Sequence, residues 1–200
     1  MSERARFAER YRDRVVHTLE LIDAKSLGEA LELLERAWTD DRLVLLAGNG
    51  GSAATAEHMN LDLSKTIARI AGAGRGFRSI ALTQGPALSA WANDAGTEEV
   101  FRGQVRDLGR PGDVLVVFSA KGNSANVVAA VREARELGLD TIGFLGAGGG
   151  STRELVDVAV VVESAEYGVI EDTHLVLSHM VTEYFAAWAA APRARAPAAS

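Results

Sequence analysis

The sequence predicts an α/β protein built on a five-stranded, parallel, doubly wound sheet. Five short apolar segments alternate with segments of helical periodicity. The apolar segments are continuous, with no alternation of polar residues, which is typical of strands buried on both faces of a sheet. Alternating strands and helices of this kind form parallel sheets with right-handed crossovers. We expect one such domain at residues 41–191.

The N-terminal segment, residues 1–40, is predicted to be helical throughout. Apolar residues recur at helical spacing from Val15 to Trp38. Ser26 is the predicted N-cap of a second helical stretch, because Glu29 three residues later would complete a capping box. The segment carries no candidate chemistry, and we expect it to pack on the main domain or on a neighbouring subunit.

The remaining elements follow from apolar runs and turn residues. The predicted strands are 42–47, 79–83, 114–118, 141–145 and 158–162. The predicted helices are 52–65, 86–93, 98–108, 123–137, a short one near 152–156, and a long one from about 170 to 190. The Pro-, Ala- and Arg-rich end at 192–200 predicts a frayed tail.

Composition and charge narrow the function classes. The chain has 200 residues and no cysteine, which argues against a disulfide scaffold, a thiolate metal site and a cysteine nucleophile. The formal net charge is −6, so the basic footprint of a nucleic-acid-binding protein is missing. No apolar stretch approaches the ~18 residues of a membrane span, and the N-terminus lacks a secretory h-region. We therefore expect a cytoplasmic protein with neither a nucleic acid nor a membrane as partner.

Ligands of open parallel sheets bind beyond the carboxyl ends of the strands, at a topological switch point. This rule selects the loops at 48–52, 83–86, 119–124 and 146–151, and three of these carry clusters of the chain's 20 glycines. The cluster at 146–150 has no role that the sequence assigns.

The first glycine loop, residues 48–53, formally matches G-x-G-x-x-A. A dinucleotide site also needs an acidic residue about 20 positions later, and none stands at the end of the second strand. The Gly-Lys-Ser/Thr of a Walker A loop is also missing. The glycines could simply form a tight turn. Asn49 and Ser52 favour a polar ligand, because they add side-chain donors to exposed backbone N–H groups.

The loop at 119–124 reads Ser-Ala-Lys-Gly-Asn-Ser and stands between a buried strand and a helix. Backbone N–H groups and the helix dipole favour an anion there. Ser119 and Ser124 add hydroxyls, and Lys121 adds positive charge. The alternative is that Asn123 or Ser124 is merely an N-cap, which explains one residue but not the whole string. The pattern therefore predicts a phosphate site.

Histidines and carboxylates form a second candidate site. His58 and Asp62 share one helical face, and Glu171 and His179 lie on the last helix. Two imidazoles and two carboxylates suit a divalent metal or a proton-transfer pair. Glu171 and His179 are eight residues apart, a rise of ~12 Å in a regular helix. They converge only if the first turn is distorted; otherwise Glu171 serves a different site. An ordinary i, i+4 His–Asp pair is the alternative reading.

Six motifs in order carry a resemblance to a known family. They are Gly48-Asn-Gly-Gly-Ser-Ala-Ala, Glu57-His58, Ala92-Asn93-Asp94, Arg110-Pro-Gly-Asp-Val-Leu, Ser119-Ala-Lys-Gly-Asn-Ser-Ala-Asn and Ile170-Glu-Asp-Thr-His-Leu-Val-Leu-Ser-His179. Over essentially the whole chain, this pattern resembles the sedoheptulose 7-phosphate isomerases (phosphoheptose isomerases) of the SIS, or sugar isomerase, superfamily.

The resemblance implies a homotetramer with active sites at subunit interfaces and a ketose–aldose isomerisation through an enediol. It implies Asp62 as the base and His179 as its acid partner. It implies one zinc ion per subunit, on His58, Asp62, Glu171 and His179. The implied substrate-binding residues are Asn49, Gly50, Gly51, Ser52, Asn93, Asp94, Ser119, Ala120, Lys121, Ser124 and Glu171.

The chain departs from the family pattern around the substrate. Asp62 stands where Glu is usual, Glu171 where Gln is usual, and Ala120 and Lys121 replace hydroxyl residues. These changes indicate a divergent member: a different sugar phosphate, an altered metal site or reduced catalysis. A non-catalytic SIS protein of the replication-initiator-binding type is an alternative, against which the retained His58 and His179 argue. A sugar-phosphate-sensing regulator would carry a DNA-binding module, which this acidic sequence does not suggest.

Overall fold

The fold is organised around one five-stranded parallel sheet in the order β2-β1-β3-β4-β5. The computed structural model describes residues 1–72 and 74–190, so the predicted tail at 192–200 lies outside the described residues. The strands are β1 Leu43–Gly48, β2 Arg78–Ala81, β3 Val114–Ser119, β4 Asp140–Gly146 and β5 Val158–Val162. All five predicted strands are confirmed.

Eight α-helices are present in the described residues. They are α1 Glu3–Glu20, α2 Ala24–Thr39, α3 Gly51–Leu61, α4 Ile67–Ala71, α5 Gly85–Asp94, α6 Glu99–Leu108, α7 Ala125–Glu136 and α8 Tyr167–Ala190. A π-helix, Asp62–Thr66, joins α3 to α4, and a 3₁₀ helix, Ala147–Thr152, follows β4. No helix within residues 1–72 and 74–190 has the length and apolarity to cross a bilayer.

Alternate residues of each central strand enter two separate hydrophobic cores. Val44 and Leu46 of β1 pack in the core under α2, α3, α4 and α8. Leu45 and Ala47 face the opposite side, where α6 and α7 cover the sheet. Because both faces are buried, the strands read as unbroken apolar runs. This arrangement confirms the predicted doubly wound α/β class.

Two sequence expectations are corrected by the elements themselves. The helical segment at 1–40 is two helices, and the second is capped by Asp23, whose carboxylate accepts hydrogen bonds from the N–H groups of Lys25 and Ser26. Ser26 is therefore inside the helix and is not its N-cap. The short helix expected near 152–156 is replaced by a 3₁₀ segment, Ala147–Thr152, whose helical backbone is interrupted by three glycines with positive φ.

The strand order places a switch point between β1 and β3. The chain leaves β1 towards β2 on one side, whereas β3 continues towards β4 on the other. The loops that follow β1 and β3 therefore diverge from a common crevice at the carboxyl edge of the sheet. Ligands of open α/β sheets bind at this place.

Candidate active site

A cavity of about 330 Å³ opens at the switch point. Its lining comes from the loops after β1 and β3 and from the first turns of α8. The lining residues are Asn49, Ser52, Phe118, Ser119, Ala120, Lys121, Asn123, Ser124, Tyr167 and Glu171. The structure therefore brings together seven of the residues that the sequence predicts for substrate binding: Asn49, Ser52, Ser119, Ala120, Lys121, Ser124 and Glu171.

The loop after β1 is shaped by a close approach to α8. A side chain at Gly51 would collide with the carboxylate of Glu171, so a larger residue there would displace that carboxylate from its place in the cavity. Gly50, in the N-cap position of α3, has φ of +55°, a conformation that glycine adopts without strain. Gly50 and Gly51 thus shape the cavity, although they do not line it.

The loop after β3 offers hydrogen-bond donors at the start of α7. Ser124 is the N-cap residue of α7, yet its side chain makes no capping hydrogen bond. Its hydroxyl is therefore available to a ligand in the cavity. The Ser119 Oγ accepts a hydrogen bond from the N–H of Gly122 at 3.0 Å, which leaves the hydroxyl proton of Ser119 to donate. Together with the dipole of α7, these groups suit an anion.

Lys121 is the only cationic side chain among the lining residues. Its Nζ lies 5.1 Å from the ring centroid of Tyr167, within the range of a cation–π contact. The sequence reasoning missed Tyr167, which is the first residue of α8 and precedes the predicted start of that helix at about 170. Glu171 is the only acidic residue in the lining, so the cavity holds one charge of each sign.

Two asparagines clamp the two ligand loops together. The Asn49 amide donates to Asn126 Oδ1 at 2.9 Å, and the Asn126 amide donates to Asn49 Oδ1 at 2.8 Å. Asn126 thus fixes the orientation of a side chain that lines the cavity. It was missed as a functional candidate, although it closes the quoted motif that begins at Ser119.

The second candidate site is a histidine pair between α3 and α8. His58 Nε2 lies 2.8 Å from His179 Nε2 and 3.3 Å from Asp62 Oδ2. Thr182 Oγ1 lies 3.4 Å from the same Asp62 oxygen, while its hydroxyl donates to the backbone carbonyl of Ser178 at 3.0 Å. The carboxylate of Asp62 is mostly buried, whereas His58 is 44% exposed. The three predicted residues therefore converge on a point that solvent reaches.

The donor atoms of this cluster fit a divalent metal. One ligand atom each from His58, Asp62 and His179 lies within 4.8 Å of the others. Catalytic zinc sites commonly use three protein ligands drawn from imidazoles and carboxylates, with a fourth position open. The set contains no thiolate, as the absence of cysteine requires.

Three predicted site residues lie elsewhere. Glu171 does not join the histidine cluster, because α8 is regular helix and its eight-residue separation from His179 is a rise of ~12 Å. It lines the cavity, and its place among the metal ligands stays a prediction. Asn93 and Asp94, at the end of α5, bond to each other at 2.7 Å and do not line the cavity.

A third histidine, His174, is fully buried on α8 against the ring of Phe118. Burial lowers its pKa from 6.5 to about 4, and the nearby backbone of Leu145 opposes part of that shift. Neither ring nitrogen makes a hydrogen bond to a described residue. His174 is therefore a neutral packing residue behind the cavity wall.

Comparison with known proteins gives consistent matches. The family model of the SIS domain matches residues 8–146. A phosphoheptose isomerase of Burkholderia pseudomallei is 45% identical over 139 residues, 69% of this chain and 69% of the relative. One from Geobacter sulfurreducens is 39% identical over 170 residues, 84% of this chain and 88% of the relative. The solved phosphoheptose isomerase of Neisseria gonorrhoeae superimposes with a TM-score of 0.83 at 32% identity, covering 93% of this chain and 100% of that chain.

Proposed function

Since this chain belongs to the SIS domain family, and within it to the phosphoheptose isomerases, we propose that it interconverts sedoheptulose 7-phosphate and a heptose 7-phosphate. It is a sugar-phosphate aldose–ketose isomerase. The observation that carries the proposal is that α3 and α8 each contribute both to an anion-binding cavity and to a cluster able to move protons.

The phosphate group is assigned to the loop after β3. Ser119, Ser124 and the N-terminus of α7 supply donors, and Lys121 supplies the positive charge. Asn49, Ser52 and Glu171 then face the sugar, where hydroxyl groups need both donors and acceptors. Asn93 and Asp94 fit this assignment only as residues that reach a site on another copy of the chain.

The distance between the two sites favours a long sugar. His58 follows Ser52 by six residues of nearly continuous helix, a rise of ~9 Å, and His179 follows Glu171 by ~12 Å. An extended seven-carbon chain spans roughly 8–10 Å from its phosphorus to the first two carbons, at ~1.2 Å per backbone bond. A sugar of this length can therefore reach from the cavity to the histidine pair, whereas a much shorter one stops short of it.

Isomerisation moves one hydrogen between neighbouring carbons. We assign Asp62 to remove the proton from C1 of the ketose, which leaves an enediol, and to return a proton at C2. His179 moves the accompanying proton between the two sugar oxygens, so the proton count is unchanged at the end. A carboxylate and an imidazole held together can serve both steps, and each contributes typically 10²–10⁴-fold.

We also propose one zinc ion per subunit, held by His58, Asp62 and His179. The exposed histidine pair and the partly buried carboxylate favour this set. Bound zinc would polarise the sugar carbonyl and stabilise negative charge on its oxygen. The residues of the chain still have to orient the sugar.

The proposed assembly is a homotetramer with active sites at subunit interfaces. Large apolar side chains remain exposed in the single chain, among them Phe7, Leu61, Ile70 and Met180. Leu61 follows His58 by one turn, and Met180 follows His179 directly, so exposed apolar groups flank the histidine pair. A second copy covering them would shield the reacting sugar from water.

The proposal is tested by incubating the purified protein, with zinc supplied, with sedoheptulose 7-phosphate in D₂O. We expect the heptose phosphate to appear, with solvent deuterium at C2 as the signature of an enediol. The Asp62→Asn variant, which keeps the side-chain volume, is the matched control and should give both signals at least about 10²-fold more slowly. A protein that interconverts no ketose and aldose phosphate of six to eight carbons contradicts the proposal.

A further inference from the structure

The glycine-rich segment after β4, to which the proposed chemistry assigns no role, has an unusual backbone. Ala147, Gly148, Gly149 and Gly150 all have positive φ, at 49°, 77°, 90° and 52°. Alanine in the left-handed region costs free energy, so the surrounding structure must hold it there. Backbone strain of this kind clusters at functional sites, so the residues that contact this segment are candidates for a functional role.

The segment lies directly against the back of the phosphate loop. A side chain at Gly122 would collide with the carbonyl group of Gly149. A side chain at Gly150 would collide with the carbonyl oxygen of Lys121 and with the amide of Asn123. Only glycine on each side allows the two backbones to approach so closely.

Hydrogen bonds join the two segments at this contact. The carbonyl oxygen of Gly122 accepts from the N–H of Thr152 at 2.9 Å and from its hydroxyl at 2.6 Å. Asn123 Oδ1 accepts from the N–H of Ser151 at 2.8 Å. Thr152 is fully buried and does not line the cavity.

These bonds determine which groups of the loop face a ligand. The Gly122 carbonyl, which would repel an anion, is held by Thr152 outside the cavity lining. The N–H of Gly122 is bound to Ser119 Oγ, which fixes the direction of that hydroxyl oxygen. The loop is thereby organised for a phosphate before any phosphate arrives.

We propose that Thr152 is a positioning residue for phosphate binding: through Gly122 it holds the loop at 119–124 in its anion-binding form. The inference rests on the phosphate assignment of the proposed function. Removing the Thr152 hydroxyl should weaken binding of every ligand that uses the loop, while the distant proton-transfer cluster continues to work.

The test compares Thr152→Val with Thr152→Ser. Valine replaces the hydroxyl by a methyl group at the same volume, whereas serine retains the hydroxyl. We expect Thr152→Val to raise KM for sedoheptulose 7-phosphate and Kd for inorganic phosphate by the same factor, about 10-fold, with kcat within twofold of the parent. Thr152→Ser should restore both constants to within about threefold.

Thr141→Val is the matched control, because Thr141 is equally buried and its hydroxyl hydrogen bond, to Asp157 at 2.6 Å, lies at the opposite end of β4. It should leave KM and phosphate affinity unchanged. Calorimetric titration with inorganic phosphate needs no turnover, so it separates this inference from the isomerase proposal. The inference is overturned if Thr152→Val leaves phosphate affinity unchanged or lowers only kcat. It is also overturned if Thr141→Val loses as much phosphate affinity as Thr152→Val, or if the parent protein binds no phosphate.

Discussion

At the scale of single residues, Asp62 is the proposed catalytic residue whose side chain differs in length from the family pattern. Its carboxylate is one methylene shorter than the glutamate usual in the family pattern, yet it lies beside His58 and within reach of Thr182. The π-helix that begins at Asp62 changes the backbone at the same place. Local π-helical turns recur at functional sites, and here the turn alters where the short side chain is presented.

Asp62→Asn should lower kcat by about 10²- to 10⁴-fold, because an amide cannot accept the proton that the carboxylate is proposed to take. Substrate KM and inorganic phosphate affinity should stay within about threefold, since the phosphate loop is untouched. Steady-state kinetics and phosphate titration check both statements. Asp62→Glu retains a carboxylate, so its kcat should stay well above that of Asp62→Asn. Equal activity of Asp62→Asn and the parent protein would contradict the proposed proton transfer by Asp62.

His174 gives the stability a pH dependence of defined sign. Its pKa in the folded chain is about 4, below its usual 6.5, because burial disfavours the charged ring. Between these two values the unfolded chain binds a proton that the folded chain does not, so stability falls as the pH drops from 6.5 towards 4. At ~1.4 kcal/mol for each unit of pKa, the loss approaches about 3 kcal/mol.

Urea unfolding at pH 7 and pH 5 measures this contribution. His174→Leu should flatten the difference in unfolding free energy between the two pH values, whatever its effect on stability at pH 7. His17→Gln removes an exposed histidine from α1 and serves as the control for the loss of one imidazole. If His174→Leu kept the full difference in unfolding free energy between pH 7 and pH 5, another titrating group would be its cause.

The sequence predicted most of the cavity residues, for a physical reason. Asn49, Ser52, Ser119 and Ser124 stand directly after strands, where topology alone brings side chains to one edge of the sheet. Asn126 and Tyr167 were not predicted, because their roles come from tertiary contacts. Asn126 pairs with the amide of Asn49, and the Tyr167 ring lies beneath Lys121. Glu171 was predicted for two sites, and in the structure its side chain lines the cavity.

At the scale of elements, strands were predictable and helix ends were not. Strands buried on both faces have unbroken apolar runs, which few other structures produce. Helix α3 was expected to run to 65. In the structure α3 ends at Leu61, and helical backbone continues through the π-helix into α4, which ends at Ala71. Buried Met59, Leu63 and Ile67 repeat at intervals of four, which an α-helix and a π-helical insertion share, so periodicity could not distinguish them.

The start of α2 provides a prediction at this scale. Asp23 accepts from the backbone N–H groups of Lys25 and Ser26, at 3.0 and 3.2 Å, so Asp23→Ala should lower the free energy of unfolding by about 1 kcal/mol. Ser26→Ala removes only a hydroxyl that donates to the Asp23 carbonyl, and its effect should be smaller. Denaturant unfolding of both variants measures the order, and a larger loss in Ser26→Ala would restore the capping box expected from the sequence.

At the scale of the whole molecule, the strand order turns separate loops into one site. Residues 49–52 and 119–124 are more than sixty positions apart, yet they meet because β1 and β3 are neighbours in the sheet. The segment at 147–152 reaches the same place because β4 lies beside β3. Strand order depends on how each crossover packs, so the sequence indicated the class of the fold but not which glycine cluster would support which loop.

Assembly supplies the last prediction, since the histidine pair is flanked by apolar side chains exposed in the single chain. Leu61 is 51% exposed one turn beyond His58, and a charge there would be buried if a second copy covers the site. Leu61→Lys should therefore lower the solution mass from that of the proposed tetramer, about four times 21.2 kDa, and reduce kcat in parallel. Leu108→Lys, at 39% exposure on the end of α6 across the sheet, is the control. Light scattering coupled to gel filtration measures both masses. A Leu61→Lys protein with the mass and kcat of the parent would place the interface elsewhere and leave the site complete within one chain.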